Sequence, residues 1–224
     1  MQRTIVVVSA GLGVPSSTRM LADQMAAAVR EQLGEMGAEA VLDVVDLRDI
    51  AGDIANNMVT GYPGPALADV VDRVSRADAM IAVTPTFSAS YSGLFKSFFD
   101  VLDPKFLDGM PVLFGATGGS SRHSLVLDTA VRPLFSYLRA RTMPTAIYAS
   151  PEDWGTSGTN ALDHRIAQAA GELAAALAPS TTPAPGNTRI PGFAADHKAK
   201  RQERAMSDMT SLPFEQLLAQ TQAR

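Results

Sequence analysis

The chain reads as an α/β fold: a doubly wound, five-stranded parallel sheet covered by helices, followed by a C-terminal extension. Three observations predict it. Short β-branched apolar runs alternate strictly with amphipathic stretches, the pattern of successive β-α units around a parallel sheet. The runs, about seven residues each, are apolar at nearly every position, as strands buried on both faces must be. The first run also opens into a glycine-bearing loop, "SAGLGVPSSTRM" (Ser9–Met20), placed where such sheets bind ligands.

Each element has its own justification. "TIVVVSA" (Thr4–Ala10) is β-branched and bounded by glycine, a first strand. Ser16–Met36 carries Leu21, Met25, Ala28, Val29, Leu33 and Met36 on one face, a helix. Ala40–Leu47 is a second strand, and residues 48–63, with their glycines, asparagines and proline, read as loop. Pro65 suits an early helical position in Pro65–Arg76. Asp78–Pro85 and Met110–Thr117 are the third and fourth strands, each followed by a helix, Gly93–Leu102 and Ser124–Arg141. Thr142–Ser150 is a fifth strand, ahead of an alanine-rich helix over Thr159–Ala178. Strands so connected suit the flavodoxin-like order 2-1-3-4-5, whose ligands sit at the carboxyl ends of strands one and three.

Residues 1–178 therefore form the domain, and residues 179–224 a linker and arm. The linker, "PSTTPAPGNTRIPG" (Pro179–Gly192), is rich in proline and glycine. Beyond it the chain is either a tail or an arm. Phe214, Leu217 and Leu218 would be exposed unless covered, so residues 193–220 are expected to pack against another protomer.

With 46% apolar and 19% charged residues, the composition is that of an ordinary globular protein. The net charge of −4 leaves no basic footprint for nucleic acid. The absence of cysteine excludes a disulfide scaffold, a thiolate nucleophile and a cysteine-ligated cluster. No apolar stretch approaches the roughly 18–20 residues of a membrane span. Arg3 and the run Ile5–Val14 imitate a signal peptide, but a buried first strand accounts for the same residues. His123, His164 and His197 lie far apart, without metal-ligand spacing.

In a doubly wound sheet, the loops after strands one, three and four meet at one edge. The first lacks the third glycine of a dinucleotide fingerprint, and the nearest acids of strand two, Asp43 and Asp46, lie too far along. Ser16, Ser17, Thr18 and Arg19 replace that glycine and run into a helix N-terminus. Hydroxyls, N–H groups and the helix dipole suit a terminal phosphate, although Ser16 or Ser17 could equally be a plain N-cap. The second loop, in "TPTFSASYSGLFKSFFD" (Thr84–Asp100), offers Phe87 as a flat apolar wall beside small hydroxyls, with burial of Phe87 in the core as the alternative. In the third, "ATGGSSRHS" (Ala116–Ser124), adjacent glycines let backbone N–H groups approach a ligand. His123 there is either an acid or an organiser of the loop.

The motifs "PSSTRML", "TPTFSASYSGLFKSFFDVL" and "ATGGSSRHSLVLDTAVRPLFSYLRA" resemble the NAD(P)H-dependent FMN reductase family, over Thr4–Ala178. They are particularly similar to the reductases of two-component, alkanesulfonate-type monooxygenase systems. The resemblance implies that Ser9, Ser16, Ser17, Thr18 and Arg19 hold the FMN phosphate. Pro85, Thr86, Phe87 and Ser88 would line the flavin ring, and Thr117, Gly118 and Gly119 would face its pyrimidine edge. Phe87 stands where family members commonly have tyrosine. The resemblance also implies NAD(P)H as co-substrate, stacked on the exposed flavin face, with Arg19, Arg122 or Arg139 available to a 2′-phosphate. It further implies a cytoplasmic homodimer or homotetramer and a flavin-dependent monooxygenase as partner. No side chain is assigned a catalytic role, because hydride transfer to a flavin needs no side-chain acid. A quinone or azo reductase on the same fold, or a non-enzymatic flavodoxin-type electron carrier, is the alternative.

Overall fold

Successive residues of a strand face opposite sides of its sheet, and β1 (Gln2–Ser9) separates two cores in this way. The computed structural model describes residues 2–154 and 161–178. Ile5 and Val7 pack on one side with α1 (Ser17–Glu35) and α6 (Ala161–Leu177). Val6 and Val8 pack on the other with α2 (Ala51–Thr60), α3 (Pro65–Arg76), α4 (Gly93–Val101) and α5 (Arg132–Tyr137).

The sheet runs β2 (Glu39–Asp46), β1, β3 (Ala79–Phe87), β5 (Pro111–Thr117), all parallel. Two short strands, β6 (Arg141–Thr142) and β7 (Ile147–Ala149), pair in parallel with successive parts of β5. Counted as one interrupted strand they complete the expected order 2-1-3-4-5. The interruption falls at Pro144, which has no N–H for a ladder. Next to it Thr145 turns to α6, donating from its N–H and hydroxyl to Glu172 at 2.8 and 2.6 Å.

Three further local expectations give way. Residues 48–63 are not all loop: a 3-10 turn (Leu47–Ile50) leads into α2. Glycine and asparagine disfavour helix only weakly, and burial of Ile50 and Ile54 outweighs them. The helix stops at Gly61, whose φ of 76° is the left-handed cap. Secondly, Ser124–Arg141 is not one helix. Pro133 lacks the N–H an α-turn needs, and the chain widens into a π-turn (Leu127–Val131) before α5. Thirdly, β3 overruns Pro85 and folds back through an unforeseen antiparallel β4 (Ser90–Tyr91).

No helix among the described residues is long and apolar enough to cross a membrane. The expectations for residues 193–220, with Phe214, Leu217 and Leu218, and for a boundary at residue 179 lie outside the described residues.

Phe135 organises the larger core. Its ring meets Phe95, Phe99 and Phe114 at centroid distances of 6.2, 5.1 and 5.7 Å. Phe135→Ala is expected to lower unfolding free energy by about 3–5 kcal/mol, the range for a buried phenylalanine. Urea denaturation checks this, and a loss below about 1 kcal/mol would show that the cluster is not close-packed.

Candidate functional site

Register brings the three loops together. Ser9 at the end of β1 lies beside Val83, and Pro85 on β3 lies beside Thr117, which is itself beside Ala149. The carboxyl ends of β1, β3, β5 and β7 therefore share one edge.

The β1–α1 loop is shaped from within. A Cβ on Gly11 would stand 2.0 Å from Ser16 Oγ, so only glycine permits this return of the chain. Ser16 is the N-cap of α1, its hydroxyl accepting from the Arg19 N–H at 3.2 Å. The capping alternative thus holds for Ser16. With Arg19 capped, the Ser17 and Thr18 N–H groups remain the open donors of the first turn, and the Ser17 side chain is exposed beside them. Thr18 turns inward and its hydroxyl meets that of Thr117 at 2.8 Å. Arg19 is held by two carboxylates, Asp23 at 2.8 Å and Asp46 at the end of β2. The hydrogen bond to Asp23 raises the guanidinium pKa, against the effect of burial, and Asp46 adds to the rise.

A depression of about 220 Å³ opens here, lined by Gly11, Gly13, Ser16, Arg19, Asp46 and Arg48. Arg48 was missed in the sequence because its segment read as loop. It sits on the turn after β2 and donates to the Gly13 carbonyl at 3.3 Å. A basic residue one step beyond strand two, on the same sheet edge as the glycine-bearing loop, was the available signal.

In the second loop, Ser88 and Ala89 have φ of 48° and 62°. Both central residues of the β3–β4 hairpin thus occupy the left-handed region, without the glycine or asparagine such a turn favours. The turn leaves Phe87 47% exposed, which decides against the core alternative. Pro85 is buried, and its carbonyl accepts from Thr84 Oγ1 at 2.9 Å.

The third loop is pinned to β7. The Gly118 N–H donates to Ala149 O at 3.1 Å, and the Tyr148 hydroxyl donates to Ser120 O at 2.8 Å. The Tyr148 hydroxyl fills the place of a Gly118 side chain, 2.1 Å from where its Cβ would stand. Burial raises the phenol pKa, against a smaller opposing effect of Thr86. Gly118 is therefore occupied by its own protein, whereas Gly119 has open space around it. Arg122 and His123 are exposed on the following turn (Ser121–His123). Arg139 lies at the opposite end of the sheet, its carbonyl accepting from Gly109 just before β5. That leaves Arg122, of the three arginines considered, exposed and on the site's edge.

Among the described residues, Ser9 Oγ on this edge is buried without a hydrogen-bond partner, and the Thr86 hydroxyl lies against the Tyr148 phenol. Buried polar atoms are rarely left as Ser9 Oγ is. Its position at the end of β1 fits a ligand carrying polar groups. The first-turn N–H groups with Arg48 suit a phosphate, and Phe87 suits a flat ring. No cluster of metal-ligating side chains occurs among the described residues.

Comparison with known proteins supplies the family. Residues 3–155 match the family model described as NADPH-dependent FMN reductase. The chain belongs to that family. It is 38% identical over 152 residues to an FMN reductase (NADPH) of Pseudomonas aeruginosa, covering 67% of this chain and 78% of that one. It is 32% identical over 197 residues to the NADH-dependent FMN reductase SfnE of Pseudomonas putida, covering 88% and 96%. Among solved structures, an oxidoreductase of Corynebacterium diphtheriae shares 44% identity with a TM-score of 0.76, over 79% of this chain and 97% of that one. Membership makes the chain an enzyme with FMN and NAD(P)H as its cofactor and co-substrate, and it excludes the simple electron carrier.

Gly118 and Gly119 are expected to respond differently to alanine. Gly118→Ala drives a methyl into the Tyr148 hydroxyl and should cost about 1–3 kcal/mol, as overpacking does. Gly119→Ala meets nothing and should stay within about 0.5 kcal/mol. Equal urea midpoints for the two variants would show that the phenol is not wedged beneath the turn.

Proposed function

We propose that this FMN reductase oxidises NADH or NADPH at the carboxyl edge of its sheet and delivers reduced FMN to a flavin-dependent monooxygenase. The observation that carries the site assignment is the partnerless buried hydroxyl of Ser9 on the edge where three loops converge. When bound, FMN supplies the redox chemistry, its ring accepting a hydride from the nicotinamide. The chain's own residues bind and orient. The Ser17 and Thr18 N–H groups and the Ser17 hydroxyl receive the phosphate, with Ser9, Ser16 and Thr18 walling the loop and Arg48, which also pairs with Asp49 at 3.5 Å, as a nearby cation. Pro85, Thr86, Phe87 and Ser88 form the platform for the ring, and the exposed Phe87 gives it a flat apolar surface. Gly119, backed by Thr117 and Gly118, presents a backbone N–H to the pyrimidine edge, where negative charge develops on reduction. Rate enhancement then comes from holding nicotinamide and flavin in contact geometry. The name of the SfnE relative and the resemblance to two-component reductases support a diffusing, reduced flavin as product. The resemblance alone supports a cytoplasmic homodimer or homotetramer.

Anaerobic oxidation of NADH and NADPH, with and without added FMN, tests the reading. FMN should be required, and once oxygen is admitted the reduced flavin formed should sustain turnover of an added flavin-dependent monooxygenase. Nicotinamide oxidation that ignores added FMN, with flavin-free protein, would refute it.

His123 has its own test. It is exposed, and its backbone N–H bonds Ser120 O at 3.2 Å. His123→Asn is expected to keep most turnover with an unchanged pH–rate profile. A loss of about hundredfold in kcat, the scale of a general acid, would assign it that role instead.

A further inference from the structure

Thr18 and Thr117 are 99 residues apart in sequence, yet their hydroxyls touch at 2.8 Å. Both residues are buried, 2% and 4% exposed. They belong to different parts of the site: Thr18 to the first turn of α1, Thr117 to the end of β5 where the ring-facing loop begins. Thr18 faces the inside of the first loop, its Cβ 3.2 Å from the place of a Gly11 side chain.

Two hydroxyls in contact share one hydrogen and leave the other free. If Thr18 donates, the free hydrogen belongs to Thr117. If Thr117 donates, the Thr18 hydrogen is free to point at a ligand in the loop. An anion in that loop selects the second arrangement, a chain from Thr117 O–H to Thr18 O–H to anionic oxygen. Each bond of such a chain polarises the next, and the last is charge-assisted. Without the Thr117 hydroxyl, Thr18 can still donate, but from an unsupported oxygen with a free rotor.

We infer that Thr117 is a positioning residue for the phosphate: through Thr18, it sets how much the phosphate adds to flavin affinity. The inference rests on the reading of the β1–α1 loop as the phosphate cradle. It departs from the role that family resemblance gives Thr117, which is contact with the pyrimidine edge. The two roles predict different ligand dependence. A ring contact serves FMN and riboflavin alike, because both carry the same ring. A brace on Thr18 serves FMN alone. A purely structural tie between α1 and β5 would weaken both ligands together.

The test is fluorescence titration of the full-length protein with FMN and with riboflavin, for wild type, Thr117→Val and Thr117→Ser. Wild type should prefer FMN. Thr117→Val should shrink the ratio of FMN to riboflavin affinity by about five- to tenfold, the scale of one ordinary hydrogen bond, since Thr18 itself can still donate. Its riboflavin affinity should stay within about twofold of wild type, and Thr117→Ser should restore the ratio. If circular dichroism shows that the valine variant does not fold, Thr117→Ala is read in the same way. An unchanged ratio in the hydroxyl-free variant, whether both affinities fall together or neither does, overturns the inference while leaving the phosphate reading intact. Absence of any FMN preference in wild type overturns the phosphate reading, and the inference with it.

Discussion

Parallel pairing of β1, β3 and β5 leaves their carboxyl ends side by side, because the strands cannot slide without repacking residues that are wholly buried on both faces. Val6, Val7 and Val8 of β1, Met80 to Val83 of β3 and Val112 to Phe114 of β5 have no exposed surface at all. A one-residue slip would exchange the faces of every one of them. The register therefore fixes Ser9 beside Val83 and Pro85 beside Thr117, and with them the roots of three loops. Everything proposed about ligand binding follows from that edge. The helices contribute by covering the faces, so that polar groups can emerge only at the ends.

Much of what approaches the ligand is first occupied with holding the edge in shape. Ser16 caps α1, Gly11 makes room for Ser16, Gly118 makes room for Tyr148, and Tyr148 holds the carbonyl of Ser120. Such internal bonds are how a site of short loops becomes preorganised: the groups that meet ligand are oriented by groups that do not. The strain is also local. Ser88 and Ala89 adopt left-handed backbone at about 1–3 kcal/mol each. That hairpin turns Phe87 outward instead of into the core. The platform for a ring thus carries a conformational penalty that the parallel core has to offset.

The fold was legible because its signals were redundant. The central strands were apolar at nearly every position, and α1 carried clear helical periodicity, so small errors at ends did not matter. Local features that depend on one residue's missing N–H were not legible. Pro144 splits the fifth strand and Pro133 widens a helix, yet neither changes the hydrophobic pattern. In residues 48–63 weak helix formers concealed α2, since only the buried contacts of Ile50 and Ile54 stabilise it. For the site, sequence position located the three loops but could not say which polar groups were already paired. Arg19 looked free and is not. Tyr148 and Arg48 went unnoticed because they matter only through contacts across the sheet edge.

The pairing of Arg19 bears on how an acidic protein can hold a phosphate. Its charge is shared with Asp23 and Asp46, both within ion-pair distance, so the first loop carries little net positive charge from that residue. Asp46 also lines the depression and opposes an incoming anion. What remains in favour are the uncapped N–H groups of Ser17 and Thr18, the positive end of a 19-residue helix, and Arg48, whose charge is in part shared with Asp49 at 3.5 Å. N–H groups act over hydrogen-bond distances and are screened little by salt, whereas exposed charges lose much of their effect at physiological ionic strength. Recognition built this way favours a ligand whose phosphate fits the turn over one that is merely anionic. It also explains why hydroxyl orientation at Thr18 would matter: where mobile charge is scarce, each directed hydrogen bond carries a larger share of the selectivity between a phosphorylated flavin and a bare one.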